Sequence, residues 1–166
     1  MFAHYFFDWG NTLMVDFPGA KGPMCFWDKV AAVAGARETL AELHRNAGCY
    51  LATNARDSSE RDIVKALERG GLALYIDKVF CFQNVGYFKP APEFFNTVLG
   101  IIGAVPSQTV MVGDNLETDV AGALAVGMHG VWYNPDGCKG GLDGAGVIRS
   151  LTELMAPSRR ERFRNR

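Results

Sequence analysis

Tyr5-Phe6-Phe7-Asp8-Trp9-Gly10-Asn11-Thr12 runs three aromatic residues straight into an acidic, glycine-containing loop. The pattern returns in Val110-Met111-Val112-Gly113-Asp114-Asn115-Leu116-Glu117-Thr118-Asp119. Each apolar run is short and uncharged, as a strand buried on both faces should be. Around them strand-like segments (4–7, 49–53, 78–82, 109–112 and 129–133) alternate with helix-like ones. Residues 36–46 carry Leu40, Leu43 and Ala47 at helical spacing, with Arg37, Glu38, Glu42 and Arg45 on the opposite face. Asp57-Ser58-Ser59-Glu60 has the D-x-x-E form of a helix start, and Gly70-Gly71 stops that helix. Pro90 and Pro92 open a third helix, and a fourth spans 116–126 before Gly127. After the glycine-rich loop 137–146, Val147-Ile148 and a short helix at 150–155 close the unit.

Alternating strands and helices predict an α/β fold with a central parallel sheet covered on both faces. Ligands of such sheets bind beyond the carboxyl ends of the strands, where the strand order reverses. Asp8, Thr53 and Asp114 each fall at that end of a different strand, so they are expected to converge.

With 166 residues, 48% hydrophobic and 21% charged, the chain has the composition and size of one globular domain. A net charge of −1 offers nucleic acid or an anionic membrane no general attraction. The exception is the tail 157–166, with Arg159, Arg160, Arg162, Arg164 and Arg166, read as a solvated end beyond a domain at 1–156. Cys25, Cys49, Cys81 and Cys138 form no CxxC pair and no zinc spacing, so reduced thiols in a cytoplasmic protein are expected, Cys49 and Cys81 within buried strands. The first residues lack a basic n-region, and the uncharged stretch 94–113 is broken by Asn96, Pro106, Ser107 and Gln108. Neither a signal peptide nor a membrane span is expected.

An aspartate behind three aromatic residues is costly to bury unless something pairs with it. Asp114 and Asp119, on a loop leading into a helix, can reach the same cavity as Asp8. Three carboxylates brought together repel unless a cation neutralises them, and an all-oxygen site favours Mg2+. Glu117 suits the helix N-terminus better than the metal. Thr53 and Asn54 end a strand with a hydroxyl, an amide and N–H groups suited to phosphate oxygens. Lys89 precedes a proline-started helix and can balance Asp8, Asp114 and phosphate. His4, His44 and His129 have no catalytic partner in sequence and are read as structural.

Asp8-x-Gly-x-Thr12, Thr53-Asn54, Lys89-Pro90-x-Pro92-Glu93-x-Phe95 and Gly113-Asp114-x4-Asp119 resemble, in order, the four motifs of the haloacid dehalogenase-like superfamily. The resemblance runs from about residue 4 to 154. It implies a three-layer Rossmann-like sheet and magnesium-dependent phosphoryl transfer through an aspartyl-phosphate. Position by position, it makes Asp8 the nucleophile and a metal ligand, and Gly10 a ligand through its carbonyl. Asp114 becomes a direct metal ligand, with Asp119 acting through water or Lys89. Thr53 and Asn54 hold the phosphoryl group, and Lys89 stabilises its charge. Such chemistry is largely positioning and charge neutralisation.

Two departures stand out. Gly10 replaces the aspartate that protonates the leaving group in phosphatases of this family. General acid–base help is worth about 10²–10⁴-fold, so slow turnover of alkyl phosphates is expected, with less effect on acyl or aryl phosphates. Gly10→Asp is expected to restore it, unless Asp16 or Asp57 already substitutes. The second departure is the absence of room for a cap domain. Residues 13–28, with Phe17, Pro18, Gly19, Gly22, Pro23, Phe26 and Trp27, are read as a flap instead. Capless relatives take large phosphorylated substrates or close the site by self-association, so both a large substrate and a homo-oligomer are in view. The alternatives are a phosphate-binding or regulatory module with vestigial activity, a dehalogenase attacking carbon, and a phosphonate hydrolase, which would need a cap lysine.

Overall fold

The structure, a computed structural model, describes residues 1–155; the Arg-rich tail lies outside the described residues. Six strands form one sheet in the order β3-β2-β1-β4-β5-β6. They are β1 (His4–Phe7), β2 (Gly48–Ala52), β3 (Lys78–Phe80), β4 (Thr109–Gly113), β5 (His129–Tyr133) and β6 (Gly146–Ile148), and every neighbouring pair is parallel. From β1 the chain winds outward through β2 and β3, then returns to place β4 on the other side of β1. That reversal opens a crevice between the carboxyl ends of β1 and β4, directly at Asp8 and Asp114.

The strands divide their side chains between two cores with the period of two that a pleat imposes. Tyr5, Phe7, Cys49, Leu51, Val110 and Val112 face one side, where α1 (Ala36–Leu43) and α2 (Glu60–Arg69) supply Leu40, Leu43, Ile63 and Leu67. Phe6, Ala52, Phe80 and Met111 face the other. There α4 (Pro92–Ile102) and α5 (Gly122–Ala125) supply Phe94, Phe95, Val98 and Ala123. Phe6 and Phe7 are both fully buried although adjacent, because each belongs to a different core.

Several element boundaries differ from the expected ones. The α2 helix starts from Ser59 rather than Asp57. The Ser59 hydroxyl accepts from the Asp62 N–H (3.2 Å) and the Asp62 carboxylate accepts from the Ser59 N–H (3.0 Å), a reciprocal cap two residues downstream. The third strand stops at Phe80, not 82. Asn84 accepts from the Cys81 N–H (3.0 Å) and donates to the Val79 carbonyl (2.9 Å), turning the chain into α3 (Phe82–Val85). Cys81 is thus buried but outside the sheet. Helix α1 ends at Leu43, since Asn46 and Ala47 both turn back onto the Leu43 carbonyl to bring Gly48 into β2. Strand β2 ends at Ala52, leaving Thr53 as the first loop residue. All four cysteines are free thiols, and among the described residues no helix is long and apolar enough to cross a membrane.

Among the described residues no separate domain is inserted between β1 and β2 or between β2 and β3. The segment expected to be a flap contains a 3-10 turn at Met24–Phe26 and is tied at its far end by Arg69 of α2. The Arg69 guanidinium donates to the carbonyls of Cys25 (2.9 Å) and Trp27 (2.7 Å), while the Trp27 indole donates back to Gly22 (2.8 Å).

Candidate active site

Strand β1 delivers Asp8 to the crevice, with its N–H on the Val112 carbonyl (2.9 Å). The chain then folds tightly: Leu13 and Met14 both donate to the Trp9 carbonyl, and Asn11 adopts φ 56°, the left-handed region asparagine tolerates better than most residues. This turn buries Thr12, whose hydroxyl donates to the Asp114 carboxylate (3.3 Å) and accepts from the Asp114 N–H (3.2 Å). The two acidic loops are joined through that one side chain. Trp132 of β5 holds the second loop from behind, its indole donating to the Asp114 carbonyl (2.9 Å).

Asp119 reaches the same point from a wide, π-type turn at Leu116–Ala121. Asn115 starts the turn by accepting from the N–H groups of Glu117 and Thr118, and its own N–H donates to the Asp119 carboxylate (3.1 Å). A Cβ on Gly113 would strike the Asp119 side chain, including its Cβ at 2.6 Å. Gly113→Ala should therefore push Asp119 off its partners and cost about 1–3 kcal/mol by overpacking. Thermal melts check the cost, and a midpoint unchanged from the native chain would refute it.

Lys89 is the cation of this cluster. Its side chain is 1% exposed, and its ammonium donates to Asp8 (2.8 Å), Asp119 (2.6 Å) and the Ala52 carbonyl (2.7 Å). An ammonium has three protons, so this set is complete. Burial alone would depress the lysine pKa, but Asp8 and Asp119 outweigh it and hold the group charged. Expected to balance Asp8 and Asp114, Lys89 sits at the bottom of the crevice and bonds to Asp8 and Asp119.

The clamp on Lys89 is Asn54. Its amide donates to the Lys89 carbonyl (2.8 Å) and accepts from the Lys89 N–H (2.9 Å), so the side chain proposed for phosphate is committed to the main chain of the lysine. The Thr53 hydroxyl accepts from the Ala55 N–H (3.0 Å), leaving its proton to donate, and it lines the cavity over Asp8. That cavity, about 350 Å³, is also walled by Gly10, Asp16, Trp27 and Asp57.

Asp8, Asp114 and Asp119 offer carboxylate oxygens within 4.8 Å of one another. Burial and the neighbouring carboxylates push Asp114 up to about 6. Burial raises Asp119 to about 6 as well, against the pull of Lys89. One lysine against three carboxylates leaves an unbalanced negative site. A hard divalent cation on an all-oxygen donor set fits what is missing.

Thr12, Asn115, Trp132 and Arg69 escaped the sequence reading. Thr12 and Asn115 stood in quoted motifs without a role; Trp132 and Arg69 bond to partners far off in the chain. The histidines are structural: His44 meets Asp77 (2.9 Å), His4 meets Tyr50 (3.3 Å) and His129 meets the Ser107 carbonyl (3.2 Å).

A parallel sheet with a buried lysine among carboxylates at its switch point defines the class of protein: an α/β fold with an acidic crevice at the carboxyl ends of its strands. The profile of haloacid dehalogenase-like hydrolases matches residues 8–127, and the chain belongs to that family. It is 37% identical over 110 residues to a ribulose-1,5-bisphosphate 5-phosphatase of Halopiger xanaduensis, an alignment covering 66% of this chain and 45% of the relative. The chain spans less than half the length of the curated relatives it matches first. The HAD-hydrolase YfnB of Bacillus subtilis, in a structure bound to magnesium, superposes with a TM-score of 0.67 at 28% identity, over 74% of this chain and 54% of that one. An uncharacterized protein of Listeria monocytogenes serotype 4b shares the fold along almost its whole length, with a TM-score of 0.79 at 23% identity, 91% of this chain and 93% of that one.

Proposed function

We propose that this protein is a magnesium-dependent phosphatase acting through an aspartyl-phosphate on Asp8. The observation that carries the reading is Lys89, fully buried and spending its protons on Asp119, the Ala52 carbonyl and Asp8, which itself lines the cavity. Lys89 holds one oxygen of Asp8 in place (2.8 Å), so the carboxylate is aimed as a nucleophile must be. Similarity to a protein named as a sugar bisphosphate phosphatase supports the same reaction type.

Asp8, Asp114 and the Gly10 carbonyl would hold magnesium, with Asp119 steadied by Lys89 behind them. When bound, the ion supplies the charge neutralisation that lets a phosphate approach three carboxylates. The Thr53 hydroxyl orients a phosphoryl oxygen. Asp8 attacks phosphorus as the bond to the leaving oxygen breaks, and water then releases phosphate from Asp8. Residues 13–28 act as the flap, and a large substrate or a second copy of the chain completes the closure. Attack on a carbon–halogen bond would leave the Asp114 and Asp119 pair without a task.

The test is magnesium-dependent phosphate release from acetyl phosphate and an aryl phosphate, with trapping of phosphorylated Asp8. Magnesium binding with neither phospho-enzyme nor turnover would instead assign a phosphate-binding module, the reading that Gly10 favours.

Asp114→Asn tests the metal separately. Removing one of three like charges should raise the melting temperature of the EDTA-treated chain, and the upward shift on adding magnesium should disappear. Binding at a hundred times Kd is worth about 2.7 kcal/mol, which is easily visible. A variant that still gains stability from magnesium would rule out Asp114 as a ligand.

A further inference from the structure

We infer that Asp16 is the general acid and base of this site, standing in for the side chain that Gly10 lacks. The inference rests on the phosphatase reading and supplies the proton that reading leaves unassigned.

The three heavy atoms nearest to a Cβ built on Gly10 all belong to Asp16: its Cβ at 3.7 Å, its Oδ2 at 3.7 Å and its Cγ at 3.9 Å. An aspartate at position 10 would carry its own oxygens about 2.5 Å from that Cβ by standard bond lengths. The two carboxylates would therefore contend for one space. Asp16 comes back to Gly10 because of the loop between them. Gly10 bridges to Met14, Asn11 takes its left-handed conformation, and the Asn11 amide oxygen accepts from the Asp16 N–H at 3.0 Å. The main chain of Asp16 is held while its carboxylate is left free. Among the described residues, neither a hydrogen bond nor an ion pair engages that carboxylate. Asp16 lines the same cavity as Asp8 and Thr53.

Asp57, the other carboxylate on that cavity, is placed differently. It accepts from the Ser58 hydroxyl (3.0 Å), and none of the three atoms nearest to the Gly10 Cβ is its own.

The chemistry balances with Asp16 protonated at the start. An Asp8 oxygen bonds to phosphorus, the bond from phosphorus to the ester oxygen breaks, and that oxygen takes the Asp16 proton to leave as an alcohol. Water then attacks the aspartyl-phosphate and gives a proton to the Asp16 carboxylate. The bond between phosphorus and Asp8 breaks, releasing inorganic phosphate and restoring both groups. An acyl phosphate needs no proton in the first step, because its carboxylate leaves as the anion; Asp16 then gives its proton to solvent before it takes one from the attacking water.

The experiment compares the native chain, Asp16→Asn, Asp57→Asn, Gly10→Asp and the Asp16→Asn/Gly10→Asp pair on glycerol phosphate and acetyl phosphate with magnesium. Both phospho-enzyme formation and phosphate release are followed. Asp16→Asn should slow phospho-enzyme formation from glycerol phosphate by about 10²–10⁴-fold. Its formation from acetyl phosphate should stay near the native rate, with the phospho-enzyme persisting longer. The Asp16→Asn/Gly10→Asp pair should turn over glycerol phosphate faster than Asp16→Asn alone. Equal slowing of formation from both substrates, native behaviour of Asp16→Asn, or the selective loss appearing in Asp57→Asn would each overturn the assignment. So would a large gain from Gly10→Asp alone. Absence of any Asp8 phospho-enzyme from acetyl phosphate in the native chain would overturn the phosphatase reading itself, and the role of Asp16 with it.

Discussion

Asp8→Asn should abolish phospho-enzyme formation and lower magnesium-dependent phosphate release by at least about 10³-fold, since loss of a nucleophile is among the costliest single changes in an active site. The substitution keeps the shape of the side chain, and its amide can still accept from Lys89. The fold should therefore survive, and melts of the variant guard against a trivial loss. The role proposed for Asp8 is not easily shared: Asp119 is buried and bound to Lys89 and the Asn115 N–H, and Asp114 is bound to Thr12. Residual release within about tenfold of the native chain would mean that water is activated directly and no covalent intermediate forms.

Lys89→Met should be the most destabilising replacement in the site. It removes the one ammonium between Asp8 and Asp119, whose side chains are 16% and 1% exposed, and strands the Ala52 carbonyl as well. Leaving a buried charge without its partner costs about 3–5 kcal/mol, a large share of the 5–15 kcal/mol that typically separates folded from unfolded chains. At about 2–4 °C per kcal/mol for a chain of this size, the melting temperature should fall by roughly 6–20 °C. Magnesium should recover part of the loss, because the unpaired carboxylates become a stronger cation site. Lys89→Met/Asp119→Asn should be less destabilised than the single variant, which is the signature of coupled neighbours. A single variant that melts within a degree or two of the native chain would show that the cluster does not depend on its lysine.

Gly10→Asp shows how far the sequence could be taken. From the motif alone, adding a carboxylate there is expected to help. Only the fold shows that Asp16 already borders that space, which is the ground for the role inferred for it. Asn54 is similar: an amide after a strand suggests phosphate, and only the fold shows it gripping the main chain of Lys89. The displaced cap of α2 has a related cause. Asp57-Ser58-Ser59-Glu60 contains more than one residue able to cap, and Asp62 decides in favour of Ser59 by closing a reciprocal pair.

The layered parallel sheet, the order of its elements and the convergence of Asp8, Thr53 and Asp114 follow from the sequence by itself. Apolar runs that end in acidic loops have few other ways to bury their side chains while leaving their carboxylates at solvent. Where Lys89 spends its protons, how Thr12 joins two loops 102 positions apart, and which aspartate faces Gly10 were decided only by tertiary structure. Those contacts depend on loop conformation and on distances between segments remote in the chain, which local periodicity does not encode.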